Sequence, residues 1–247
     1  MERYFGINYE FSRAKIYEKI DQTIASGAKG YVCAVEGNVL TETKLDSAYR
    51  DIVNHSMFSI CDSSWVPMFI RWIHHVKVQP YQGPQMFIDM VKMQKYQMYF
   101  LGSDSTTLSA LRSNLQQYDP RIANMPFRDL PFCAVEEFEY ESIAEDINHE
   151  NPDVIWVSLG APKQEQFVYR LEPFLKRGVM VAVGAAFKFH CGIPRLQRAP
   201  KWVINMHLEF LYRLFQEPKK QFRRLKKIIS TLPSILREEI VALSLLK

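Results

Sequence analysis

The residues of this chain best suited to chemistry gather behind two apolar runs, each ending in glycine. Residues 153–167 read DVIWVSLGAPKQEQF and close their run at Gly160. Residues 179–202 read VMVAVGAAFKFHCGIPRLQRAPKW and close theirs at Gly184. A polar loop, Pro162-Lys163-Gln164-Glu165, follows the first, and a turn rich in Arg and Pro follows the second. An α/β protein builds a phosphate-handling crevice in this way, at the carboxyl ends of parallel strands. Gln164 offers an amide donor and acceptor suited to a base, a ribose or a sugar hydroxyl. Pro162 presets a helical first turn whose free amides favour an anion, although a plain helix start with a helix-favouring Glu165 accounts for the same residues. Asp62 directly follows the apolar run 57–61. A carboxylate there can take the proton of an attacking hydroxyl, or it can cap a helix starting near Ser64. Asn38, in Val35-Glu36-Gly37-Asn38, reads as a turn asparagine.

These residues need elements to position them. Apolar runs at 30–35, 57–61, 98–101, 154–159 and 179–183 predict strands. Helical spacing predicts helices over 44–54 (apolar face Leu45, Ala48, Tyr49, Ile52, Val53), after Ser103 or Asp104 as cap, over 138–149, and over 164–176 with an interruption near Pro173. The alternation implies an α/β fold: a mostly parallel sheet with helices on both faces, Rossmann-like, plus a C-terminal helical appendage. Right-handed crossovers bring Gly102, Gly160 and Gly184 to one edge. After Gly184 the strand pattern stops. Residues 201–216 are expected as a helix ended by Pro218. An amphipathic segment follows, with Phe222, Leu225, Ile228, Ile229 and Leu232 on one face and Lys219, Lys220, Arg223, Arg224, Lys226 and Lys227 on the others; Pro233 breaks it before a last apolar helix, 234–246. The expected division is 1–195 for a nucleotide-sugar-binding catalytic domain and 196–247 for the basic, membrane-proximal appendage.

The same segments resemble the bacterial WecG/TagA/CpsF glycosyltransferases (glycosyltransferase family 26). That family carries a G-x-P-K-Q-E loop, here residues 160–165; a V-G-x-x-F strand end, here 183–187; an R-A-P turn, here Arg198-Ala199-Pro200; and an E-W-L-Y-R-L-x-x-E-P helix, here 209–218. The four motifs stand in order with family spacing, and the resemblance covers nearly the whole chain, densest after Asp153. The resemblance implies an inverting glycosyltransferase that moves an N-acetylmannosamine-like or related sugar from a UDP-sugar to a polyprenyl-diphosphate-linked saccharide in surface polysaccharide synthesis. It implies Asp62 as catalytic base, Asn38 as a sugar or nucleotide contact, and Gln164 with Lys163 and Glu165 at the nucleotide-sugar. It also raises Arg198 and Arg213 to diphosphate contacts, beside Arg195, which sequence position alone places well. Of the family's R-V-x-G-x-D run only Gly83 survives, at 80–85. Ser63 replaces a family glycine, Glu36 a threonine and Lys188 an aspartate, which points to a subgroup with another donor or acceptor.

Bulk properties narrow the alternatives. The chain has 247 residues, 47% of them hydrophobic, enough for a sizeable core. Its four cysteines are scattered without C-x-x-C, as in reduced thiols of a cytosolic protein. The ten Asp residues never fall two apart, so there is no metal-binding D-x-D motif, the six histidines show no ligand spacing, and neither metal nor cofactor is expected. No G-x-G-x-x-G follows a strand, against a nicotinamide dehydrogenase. Residues 201–247 hold ten Lys or Arg and four Glu, a surplus of six positive charges against a net +4 for the chain, so the first 200 residues carry −2. A basic tail can bind nucleic acid, the main competing reading. Joined to an apolar stripe and without a nucleic-acid motif, it fits an anionic membrane surface better, or a helix packed on its own domain or on a partner subunit in a homo-oligomer. No signal peptide or membrane span is read; the expected location is the cytoplasm, at the inner face of the cell membrane.

Overall fold

The computed structural model describes residues 1–193 and 218–245. An edge hairpin opens the chain: β1 (Glu2–Tyr4) runs antiparallel to β2 (Ile7–Tyr9). Five strands follow whose residues are almost all buried: β3 (Lys29–Val35), β4 (Phe58–Cys61), β5 (Met98–Gly102), then, after the short β6 (Phe127–Arg128), β7 (Val154–Ser158) and β8 (Gly178–Ala182). Continuous apolar runs of this kind belong to parallel strands covered on both faces. The sheet order is β1-β2-β4-β3-β8-β7-β5-β6, parallel throughout except for the hairpin.

Side chains alternate along each strand between two cores. On β7, Ile155 and Val157 face one and Val154 and Trp156 the other. The first core is covered by α2 (Gly37–Leu45), α3 (Ser47–His55), α4 (Trp65–His74), α7 (Tyr140–Glu150) and α8 (Lys163–Leu171), through Val39, Val53, Ile70, Ile147 and Phe167. The second is covered by α1 (Arg13–Ala25), α5 (Gly83–Lys92), α6 (Ser105–Leu115) and the short α9 (Ala186–His190), through Ile16, Phe87, Leu111 and Phe187. The expected α/β architecture is the one observed. A last helix, α10 (Pro218–Leu245), lies against α2 and α4, and its Ile235 joins the first core.

Several expectations are corrected. The single helix over 44–54 is two. Asp46 is extended, and its Oδ1 accepts from the amides of Ala48 (2.9 Å) and Tyr49 (3.2 Å), so it caps α3, while α2 starts at Gly37 and leaves Leu45 exposed. The helix expected over 164–176 ends at Leu171 and tightens into a 3₁₀ turn, Glu172–Phe174. Pro233 does not break α10. Thr231 and Ile235, on either side of it, are buried against the domain, whereas Pro233 and Ile229, whose carbonyl loses its amide partner, are exposed to water. The stripe expected on one face of this helix is divided: Leu225, Ile228 and Leu232 are half-buried, whereas Phe222 and Ile229 are exposed. The hairpin, α1, α5 and α9 were not anticipated, whereas α4 is the helix expected to start near Ser64. The helix expected over 201–216 and the boundary at Arg195 lie outside the described residues.

Gly102 ends β5 at φ 97°, where a Cβ would stand 2.8 Å from the carbonyl oxygen of Ser158 on the neighbouring strand. Gly102→Ala is therefore expected to lower stability by more than the roughly 1–2 kcal/mol of a left-handed backbone alone, read as a drop in thermal midpoint; an unchanged midpoint would show that the strand end yields freely.

Candidate active site

The carboxyl ends of β3, β4, β5, β7 and β8 open into one cavity of about 840 Å³. Each strand delivers polar groups to it through its end and the residues that follow: Glu36 after β3, Asp62 after β4, Ser103 and Asp104 after β5, Ser158 at the end of β7 with Gly160 and the Lys163-Gln164 turn after it, and Gly184 with Lys188 after β8. Asp129 to Phe132 close one side, and Gln221 and Arg224 of α10 close another.

Asp62 sits where the sequence places it, and its bonding separates the two readings. Its Oδ1 accepts from the Gly83 amide at 3.0 Å, at the first turn of α5. The opening amides of α4 turn instead to Ser63, whose Oγ accepts from Trp65 (3.2 Å) and Val66 (3.4 Å). The serine that replaces a family glycine thus supplies the helix cap, and the carboxylate of Asp62 remains in the cavity wall. Gly83 stands directly behind it: a Cβ there would meet Ala34 Cβ at 3.4 Å and Asp62 Oδ2 at 3.7 Å. Its role is to bring a backbone donor up to the carboxylate and fix its orientation.

Gln164 joins two strand ends. Its Oε1 accepts from the amides of Gly160 (3.1 Å) and Gly184 (2.9 Å), and its Nε2 donates to Glu165 Oε1 (2.8 Å). The Tyr49 hydroxyl donates to the other oxygen of Glu165 at 2.9 Å. Ser158 Oγ adds a bond to the Gly184 carbonyl at 2.6 Å. Gln164 lines the cavity, but these three bonds engage both ends of its carboxamide. Glu165 lies wholly buried behind it, out of the cavity wall. Lys163 reaches the Cys133 carbonyl and lies 4.7 Å from the centre of the Phe138 ring, so it ties the 129–133 loop to the mouth of the cavity.

Of the other residues singled out from sequence, Gly160 and Gly184 line the cavity and Gly102 lies behind Ser103 in the β5 end. Asn38 does not reach the wall; it is buried in the first turn of α2, and Glu36 and Val39 line the cavity on either side of it. Arg195, Arg198 and Arg213 lie outside the described residues. Three groups emerge that sequence reasoning assigned elsewhere. Ser103, one of the two residues offered as helix cap, has a strained φ of 69° and a buried hydroxyl with no partner among the described residues, while the other, Asp104, is the cap: its Oδ1 accepts from the Thr107 amide at 2.8 Å. Those Thr107 donors, with Lys188 nearby, hold the Asp104 carboxyl below its usual range. Lys188, noted only as a departure from the family, brings a cation to the cavity, and Arg224, read as part of a basic face, brings another. The signal for Arg224 lay in spacing: with Gln221 it continues, at helical intervals, the arc of Ile228, Thr231 and Ile235 that packs on the domain.

Burial pushes the Glu165 carboxyl up to about 7, against the pull of its two donors, Gln164 and Tyr49. Such a group holds its proton more tightly folded than unfolded. The stability it contributes is therefore fully present below the ordinary glutamate range and declines as pH rises from about 4.5 to about 7. Glu165→Gln is expected to flatten this part of the profile of thermal midpoint against pH; an unaltered slope would assign the titration to another group.

The model of the Glycosyl transferase WecG/TagA/CpsF family matches residues 3–244. Among similar curated proteins is the N-acetylglucosaminyldiphosphoundecaprenol N-acetyl-beta-D-mannosaminyltransferase of Bacillus subtilis (strain 168), 25% identical over 223 residues, covering 89% of this chain and 82% of that protein. The enzymes of the same name from Bacillus spizizenii (23% over 224 residues; 89% and 84% covered) and Staphylococcus aureus strain MW2 (24% over 208 residues; 80% and 76% covered) are also similar. With a family match across nearly its whole length, the chain belongs to the WecG/TagA/CpsF family of glycosyltransferases.

Proposed function

We propose that this glycosyltransferase moves a sugar of the N-acetylmannosamine class from a UDP-sugar to a polyprenyl-diphosphate-linked N-acetylglucosamine, with inversion and without a metal. The observation that carries the reading is Asp62, a carboxylate held by the Gly83 amide in the wall of a cavity that also bears Lys163, Lys188 and Arg224. The acceptor follows the names of the similar enzymes, which act on N-acetylglucosaminyldiphosphoundecaprenol.

In this account Asp62 takes the proton of the acceptor hydroxyl as its oxygen bonds to the anomeric carbon. The bond from that carbon to the diphosphate oxygen breaks, and its electron pair leaves on the diphosphate. Attack from the face opposite the leaving group inverts the configuration. The departing negative charge falls to Lys188 and Arg224, cations of the cavity wall. Metal independence is supported by the donor set. The sequence has no D-x-D, and among the described residues no three His, Cys, Asp or Glu side chains converge. The basic helix α10 brings the enzyme to an anionic membrane surface, where such an acceptor resides; no described helix is long and apolar enough to cross a membrane.

Asp62→Asn is expected to cut kcat by roughly 10²-fold or more with the thermal midpoint unchanged; near-normal turnover would remove Asp62 from the chemistry. Transfer is also expected to persist in EDTA. Loss on chelation, restored by Mg²⁺ or Mn²⁺, would show that a metal rather than Lys188 and Arg224 meets the diphosphate.

A further inference from the structure

Helix α4 is apolar on two sides. Val66, Ile70 and Ile73 face inward and are buried. Trp65, Met68 and Trp72, spaced by three and four residues on another face, are 53%, 50% and 61% exposed. Among the described residues no packing accounts for two tryptophans and a methionine so placed, and large apolar side chains grouped on a surface mark a contact site.

The neighbouring helix extends this face. α10 has α2 along one flank, through the Lys44–Glu238 and Lys227–Glu42 ion pairs and the Thr231–Thr41 hydroxyl contact. It has α4 along the other, through His74 Nε2 and Glu239 Oε1 at 2.7 Å. The α10 residues on the face opposite its α2 contacts are Phe222 and Ile229, 65% and 60% exposed. Next around the helix come Lys219, Arg223, Lys226 and Arg237, all exposed, and on α4 itself Arg71 is exposed beside the tryptophans. The result is an apolar ridge with a cationic rim.

We propose that α4 is a lipid-docking element of the folded domain: Trp65, Met68 and Trp72 enter the interfacial layer of an anionic bilayer, with the flank of α10 beside them. Tryptophan suits that layer, where the ring is buried and the indole N–H stays in polar surroundings. Arg and Lys at the rim keep their stems on apolar surface and their charges at the headgroups. Charge decides between lipid and a second copy of this chain. α10 carries seven Lys or Arg against two Glu, and a two-fold contact would set that surplus against itself. Continuity with the site supports the same choice. α4 begins at Trp65, three residues after Asp62, so a bilayer on this face places its headgroup layer at the rim of the cavity. The functional benefit rests on the proposed lipid-linked acceptor; the docking itself does not.

The test uses the full chain and the double variant Trp65→Gln/Trp72→Gln, whose positions are exposed, so that an unchanged thermal midpoint certifies the fold. Flotation is measured with phosphatidylcholine vesicles, with and without phosphatidylglycerol. The native chain is expected to float with the anionic vesicles and not the neutral ones, and the variant to lose roughly tenfold or more in binding. Transfer to a polyprenyl-diphosphate acceptor in vesicles should fall with it, while transfer to a short-chain, water-soluble analogue is unaffected. Equal flotation of both proteins would overturn the proposal. So would a native dimer that the variant converts to monomer, which would assign the face to a second copy. A chain that floats as expected yet transfers sugar to neither acceptor would sink the functional reading and leave the docking face standing.

Discussion

The carboxamide oxygen of Gln164 accepts from the amides of Gly160 and Gly184 together, so the ends of neighbouring strands β7 and β8 are held at a spacing set by one side chain. Behind it, Glu165 and Tyr49 complete a buried polar chain that reaches from the sheet edge to α3. Hydrogen bonds in a water-free interior are strong when all partners are present and expensive to leave incomplete. This chain therefore fixes the floor of the cavity, beside the first residues of α8 and α9, which carry Lys163 and Lys188. The residue whose type suggested ligand recognition first shapes the place where a ligand is recognised.

Much of this was legible because strong local signals coincide with global demands. Five apolar runs ending in Gly or a polar residue specify buried parallel strands, and right-handed crossovers bring their ends to one edge. Asp62, Gly160, Gln164 and Gly184 follow from that edge alone. What was not legible depends on partners distant in sequence. Asp62 could not be told from a cap until the Ser63 hydroxyl was found on the α4 amides and the Gly83 amide on the carboxylate. Asn38 looked like a turn residue, yet α2 begins one residue earlier and buries it. A continuous helical period over 44–54 concealed Asp46, whose side chain competes for the backbone and starts a new helix.

The last helix shows how one amphipathic sequence serves several neighbours. An apolar stripe beside basic residues suggested either a lipid face or a helix packed on its own domain or on a partner subunit. In the fold, one arc packs on the domain through Thr231 and Ile235, its continuation at Gln221 and Arg224 closes the cavity, and Phe222 and Ile229 are left facing water. A proline that would end an isolated helix is tolerated because packing on both sides of it outweighs one lost hydrogen bond. The helix thereby links the cavity to the outer surface, and any movement of α10 alters both.

The central claim is that these strand ends form one site for a single displacement, with Asp62 taking the acceptor proton and the cations taking the diphosphate. Stereochemistry tests it most directly. The anomeric configuration of the product, read by NMR from the coupling constants of the newly formed glycosidic bond and compared with that of the UDP-sugar supplied, is predicted to be inverted. Retention of the donor configuration would require a covalent intermediate or attack from the leaving-group face, and would contradict a single displacement in which Asp62 serves as the base.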